Sequence, residues 1–398
     1  MGIKITDLPD NQLPYGGSEL AAVVQGGQTR RAELSTFLNY LSGAEYDTDH
    51  GGSGKPVQPI ASPLKNNFFI KDQTIAGNIS GIGNIVLGDS ATGGTCTAVL
   101  GSQNAAEGAC ASVLGGYKNS ASGPTSLVGG GFSNVASGLS SAVVGGASSR
   151  SIGIGSLVGA GCLNKAVGNH STVVAGVSNI ASSTCTFIGG GSHNIACGAE
   201  STIVGGVCAI ATGGQSFIGG GCCHRTVGAG SSILGGFSSR TTGTCSVIGG
   251  GRQNQTTANL TTIGGGGGNF AIGLSSTIAG GAANYTCGEL SFIGGGKLNL
   301  TTASCSTVAG GMSSIATGIA STVGGGLSST ASGVFATVAG GGCNNASGEG
   351  AFIGGGTCNI ATGTCSTIGG GCNNRSLGVG SAIAGGISGF TSGACSTI

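Results

Sequence analysis

The sequence predicts an all-β protein: a parallel β-roll, or β-solenoid, of about twenty fifteen-residue rungs, forming a homotrimeric rod with a small N-terminal attachment segment. Three observations predict it. The word Ser-Thr-Ile-x-Gly-Gly, with small substitutions, recurs every fifteen residues from Ala111 to Ser396. Counting each unit from that Ser or Thr, position 3 is Val or Ile in all twenty units, from Val113 to Ile398. Glycines hold fixed places, always at position 6 and nearly always at positions 5 and 13. Such fixed glycines would break a helix in every unit.

The N-terminal segment, residues 1–45, reads as two short strands, Glu19 to Gln25 and Gln28 to Glu33, joined at the hairpin turn Gly26-Gly27. Ser35 is placed to cap a short helix, Thr36 to Leu41, ended by Gly43. A piece this small buries too little surface to fold alone, so it is expected to dock or to trimerise. Residues 46–83 hold Pro56, Pro59 and Pro63 with Gly51, Gly52 and Gly54, the composition of a neck or linker. Residues 84–398 are the repetitive shaft.

Within the shaft, the β-branched segment at positions 1 to 4 is a strand and the Gly-Gly pair turns the chain. A second extended piece is expected at positions 9 to 12. Position 9 is Asn in twelve of nineteen units, and position 11 is always Ala, Ser or Thr. If one turn of chain is one rung, identical residues stack into ladders. Twenty rungs at about 4.8 Å give a rod on the order of 95 Å long. Before Ala111 the frame slips, leaving a fourteen-residue unit at Thr97.

Positions 2 and 4 share one side of the strand, opposite position 3. Their volumes compensate. Leu127, Leu157, Phe187, Phe217, Phe292 and Phe352 at position 2 each precede Gly at position 4, whereas Leu114, Val144, Val174, Val204 and Leu234 at position 4 follow small residues. That pattern suggests a close-packed face and hence a covering layer. With no other element in the shaft, the simplest cover is another copy of the chain, in a trimer packed through Leu127, Phe187, Phe217, Phe292 and Phe352.

Composition excludes several functions. The formal charge is +1, so no basic face is expected to track nucleic acid. There is no apolar run long enough for a membrane span. The N-terminus lacks the apolar core of a secretory signal. Asp is absent after Asp89, and the remaining acids, Glu107, Glu200, Glu289 and Glu349, stand alone, so paired-carboxylate hydrolysis has no candidate. No enzyme and no cofactor are expected. The word Gly264 to Gly268 lacks the helix and Lys-Ser/Thr ending of a phosphate loop. The best metal-binding word is Cys222-Cys223-His224-Arg225 with Cys208 one rung below, but neighbours on an extended chain point apart, so no metal is expected. The sixteen cysteines read mostly as small packing residues, with a slot at position 15 holding Cys185, Cys245, Cys305, Cys365 and Cys395.

The cycle Gly-x-x-Ser-x-Val/Ile-x-Gly-Gly-x-x-Asn-x-Ala-x resembles the head repeats of trimeric autotransporter adhesins. That resemblance implies left-handed parallel β-rolls associated as trimers. Similar repeats occur in phage and virus fibres. The unit here is fifteen residues rather than the commoner fourteen, and the chain shows neither a signal peptide nor a C-terminal stalk or barrel anchor. The segment Ile5-Thr6-Asp7-Leu8-Pro9, then Val23-Val24-Gln25-Gly26-Gly27-Gln28-Thr29-Arg30, resembles the opening of many phage fibre proteins. There it implies attachment to the virion, here through Leu8, Val23, Val24, Arg30, Arg31 and Leu34. The expectation is therefore a virion fibre, a phage tail fibre assembled in the host cytoplasm. Its partners would be itself, tail or adaptor proteins, and a host surface receptor such as a glycan, met by an exposed Ser, Thr and Asn face. A bacterial trimeric surface adhesin and an ice-binding solenoid are the alternatives.

Overall fold

The computed structural model describes residues 20–25, 28–33, 67–70, 84–87 and 91–398. Strands β1 (Leu20–Gln25) and β2 (Gln28–Glu33) pair antiparallel, from Leu20↔Glu33 to Gln25↔Gln28. The expected hairpin therefore forms, with only the two glycines between its strands. The helix expected at residues 36–41 lies outside the described residues. Strand β3 (Asn67–Ile70) pairs in parallel with β4 (Asn84–Leu87), so a strand of the 46–83 segment already joins the first sheet of the shaft.

From there each rung repeats one pattern. A two-residue strand occupies positions 2 and 3, and another occupies positions 10 and 11. Each pairs in parallel with the same positions one rung on, as in Leu127↔Ala142 with Val128↔Val143, and Val135↔Arg150 with Ala136↔Ser151. A third line of parallel bridges runs through position 7, for example Phe132↔Ala147 and Ala147↔Cys162. The coil period is thus one repeat, as the sequence predicts. The slipped unit also appears, since Ala98 pairs with Ser112, fourteen residues on. Among the described residues there is no helix.

Four side chains per rung point inward: positions 1, 3, 9 and 11. In the unit from Ser126 these are Ser126, Val128, Asn134 and Ala136, all essentially without solvent contact. Position 3 builds the apolar spine, unbroken from Val113 to Ile383. A cross-section this narrow holds one β-branched residue and one small one, so core volume is set by the Val/Ile and Ala/Ser/Thr columns together.

Three corners of each rung use left-handed backbone. Position 6 is glycine with φ between 83° and 104°. A methyl group at Gly131 would overlap the carbonyl oxygen of Gly146 and lie 2.6 Å from the Asn134 side chain. Conformation and space both demand glycine there. Only the second glycine of the Gly-Gly pair has positive φ; position 5 is spacious, with nothing near a Cβ at Gly115 or Gly145. Positions 8 and 15 are also left-handed although mostly not glycine, with φ near 55° at residues such as Lys118, Cys185 and Phe335. For L-residues that conformation costs about 1–2 kcal/mol each.

Candidate functional site

Sheet alternation sends positions 2 and 10 outward while 3 and 11 go in. The rod therefore presents two different strand facets along its length. On the first, positions 2 and 4, no residue from Ser112 to Thr397 is charged. In the single chain, Phe187, Phe292 and Phe352 are 37–40% exposed, and Leu114 and Val144 are more than half exposed. Leu127 and Phe217 are half-buried. All five residues expected to pack subunits thus share one outward facet.

The position-4 glycines beside the phenylalanines also meet contacts within the chain. Each Phe ring lies over its own rung, with Cε1 of Phe187 3.4 Å from where a Cβ on Gly189 would sit. Phe292 over Gly294 and Phe352 over Gly354 repeat the contact at the same distance. At that distance a Cβ would be in ordinary contact with the ring. The nearer obstacle is the next rung's position-4 carbonyl, Val204 over Gly189, and the same obstacle meets Gly324 and Gly369, which follow Thr at position 2.

The second facet, at position 10, is different. Of eight Lys and Arg residues after Asp89, five stand in this one column: Arg150, Lys165, Arg225, Arg240 and Arg375. All five are exposed. The other Lys and Arg residues include Lys118 over the Tyr117 ring at 5.1 Å and Arg252 over the Phe237 ring at 5.9 Å.

The interior is the most polar surprise. The Asn column, expected to contribute to an exposed polar face, is buried instead, as is the Ser/Thr column at position 1. Asn134 shows the reason. Its Nδ2 donates to the Gly130 carbonyl at 2.9 Å and to the Gly146 carbonyl of the next rung at 2.8 Å, while its Oδ1 accepts the Ser149 N–H at 3.0 Å. Each Asn closes its own turn and ties it to the next, leaving no buried amide atom unpaired. The same three bonds recur at Asn194 and Asn299.

His224 takes the Asn place in one rung. Its Nδ1 accepts the Ser239 N–H at 3.1 Å, whereas Nε2 makes no sound hydrogen bond. Burial pushes its imidazole below the usual pKa, partly countered by the Gly236 backbone. With His224 inside the coil and Cys208, Cys223 and Arg225 exposed, the Cys222–Arg225 word does not converge on a metal, and among the described residues no cluster of three or more His, Cys, Asp or Glu is placed to hold one.

The cysteines do not fill packing slots. Cys185, Cys245, Cys305, Cys365 and Cys395 sit on the exposed left-handed corner at position 15. Of the sixteen, only Cys162, Cys222 and Cys287 are even partly sheltered, and none is in a disulfide. Cys222 and Cys223 bring their sulfurs to 3.2 Å. That contact, first, and partial desolvation, second, push the Cys223 thiol above its ordinary pKa.

Of the expected attachment residues, Val23 and Arg30 are register partners in the hairpin, Val24 faces Thr29 and Arg31 faces Ala22. Leu8 and Leu34 lie outside the described residues. The chain matches no protein-family model and no curated protein. The fold and these facets are therefore the ground for any functional reading.

Proposed function

We propose that the chain is a structural fibre protein of a virion, a phage tail fibre that mediates attachment to the host cell surface. Three chains associate side by side into one rod through the facet of positions 2 and 4. Residues 1–45 fix the rod to the particle through Leu8, Val23, Val24, Arg30, Arg31 and Leu34.

The charge-free facet is the observation that carries this reading. A column of twenty rungs that accepts Phe, Leu, Val, Thr, Ala and Gly, but never Lys, Arg, Asp or Glu, is what a long intersubunit contact requires. A solvated facet tolerates charge, as position 10 of the same rungs demonstrates. Exposed phenylalanines spaced along a straight rod are an association surface for a second copy with the same rise per rung. A threefold arrangement closes such a head-to-tail contact. Stacked rungs supply the stiffness and multivalent display that a fibre needs.

Sedimentation equilibrium of the full chain tests the assembly, with a mass of three chains expected. A well-folded single chain at micromolar concentration would overturn it. Deleting residues 1–45 tests the attachment half: the shaft is expected to fold and trimerise but to be lost from particles.

A further inference from the structure

Five unneutralised cations in one column are an electrostatic anomaly. Arg225 and Arg240 are direct register partners in adjacent rungs, and so are Arg150 and Lys165. Like charges placed opposite one another on a sheet destabilise it. None of the four has an acid or an aromatic ring against it, and the four acids after Asp89 stand elsewhere: Glu107, Glu289 and Glu349 on rungs outside the strip, Glu200 at position 15 of the Ile195 rung, paired with Gln215 at 3.0 Å. Between the two pairs the same column carries Ile180, Ile195 and Ile210, half-buried. The strip therefore reads cation pair, three isoleucines, cation pair. It runs seven rungs, six steps of about 4.8 Å, or about 29 Å from end to end.

We propose that this strip, Arg150 to Arg240, binds a linear anionic polysaccharide whose sulfate, phosphate or carboxylate groups are set apart along the chain. The Arg225 and Arg240 guanidinium forks, one rung apart, grip a single oxyanion from two sides, and Arg150 with Lys165 presents a fork and a point charge to another. The isoleucines offer the apolar C–H faces of the intervening sugars a flat bed. A nucleic acid fits less well, because its charges are continuous whereas the column carries no cation on the three rungs between the pairs and no aromatic stacking platform there. The strip also remains free in the assembled fibre, since burying unpaired cations between subunits would be costly. Its use as a receptor contact rests on the attachment function proposed above; the binding itself does not.

The test is binding of dextran sulfate to the intact full-length protein at several salt concentrations. Neutral dextran, duplex DNA and phosphatidylglycerol vesicles serve as competitors of other classes. Dextran sulfate is expected to bind and neutral dextran not to. Arg225→Gln with Arg240→Gln, or Arg150→Gln with Lys165→Gln, should weaken binding about tenfold or more and lower the salt slope by about two. Arg225→Lys with Arg240→Lys should restore most of it, and Arg375→Gln, nine rungs away, should change little. Unchanged binding in both Gln double variants, or equal or tighter binding of DNA or vesicles, overturns the proposal. Adsorption of the same variants to host cells separates the two readings. Adsorption retained while dextran sulfate binding is lost supports the strip and assigns attachment to another surface. Dextran sulfate binding unaffected while adsorption fails overturns the strip.

Discussion

Two facets of one rung, eight positions apart, obey opposite rules. Positions 2 and 10 both point outward from two-residue strands with the same parallel register. Position 2 never carries charge; position 10 carries five of the shaft's eight Lys and Arg residues. Backbone geometry cannot cause the difference, because it is the same on both. Under the proposed assembly, what differs is what each facet meets outside the chain. The contrast teaches that in a repeat rod the exclusion of charge from an exposed column reports a partner more clearly than apolarity does, since position 10 also holds Ile, Leu, Phe and Tyr.

The largest effect expected comes from transplanting charge. Thr262→Lys with Thr277→Lys, adjacent on the first facet, should drop the sedimentation mass from three chains to one. Ile195→Lys with Ile210→Lys on the second facet should leave the mass unchanged. Identical masses for the two pairs would erase the contrast.

The interior comes next. Asn299→Ala strips two carbonyls, Gly295 and Gly311, and the Ser314 N–H of their partners inside the coil. Denaturant unfolding should show a loss of about 2–4 kcal/mol, from unsatisfied buried groups. The outward Gln255→Ala should change stability by no more than about 0.5 kcal/mol.

A smaller effect follows from His224. Its imidazole is held neutral, with a folded pKa below the unfolded value of 6.5. As pH falls below 6.5 the unfolded chain takes up the proton first, so stability should decline until the folded pKa is reached and then level off. His224→Asn should remove that slope, as read by melting temperature against pH, and rebuild the Asn ladder; a slope that persists would place its cause elsewhere. Smallest in energy, but easily read, is thiol exposure. A thiol reagent should modify most of the sixteen cysteines without unfolding, and Cys223 should react more slowly than Cys245 because its contact with Cys222 disfavours the thiolate.

The repeat made the period, the two strands per rung, the Val/Ile spine and the N-terminal hairpin readable in advance. Those features depend on local β-propensity, alternation and turn glycine, which a single sequence displays. The direction of the Asn column was not read correctly, because an Asn ladder looks the same whether it lines water or a turn. A usable signal was present: Asn stands a fixed four residues after the first glycine of the Gly-Gly pair, the spacing at which its amide reaches that carbonyl. The corners at positions 8 and 15 left a weaker trace. Their residues range from Cys and Ser to Leu and Phe, and only scattered glycines such as Gly155, Gly230 and Gly380 mark them. That mixture is why the cysteines looked like packing residues. The volume exchange between positions 2 and 4 was visible in the sequence, and the single chain places both positions on one outward facet.

Because each rung from Ser112 onward pairs with the next at an offset of fifteen, that part of the shaft has no preferred length. Excising residues 262–276 would join two compatible rungs and shorten the rod by about 4.8 Å with every facet still aligned. Removing one residue fewer would leave a sixteen-residue rung whose extra residue a turn must absorb, as the fourteen-residue unit at Thr97 absorbs a deficit while Val99 stays in line with Val113. Reach is therefore a quantity that can change in whole steps by duplication or loss of a unit, independently of what the facets bind.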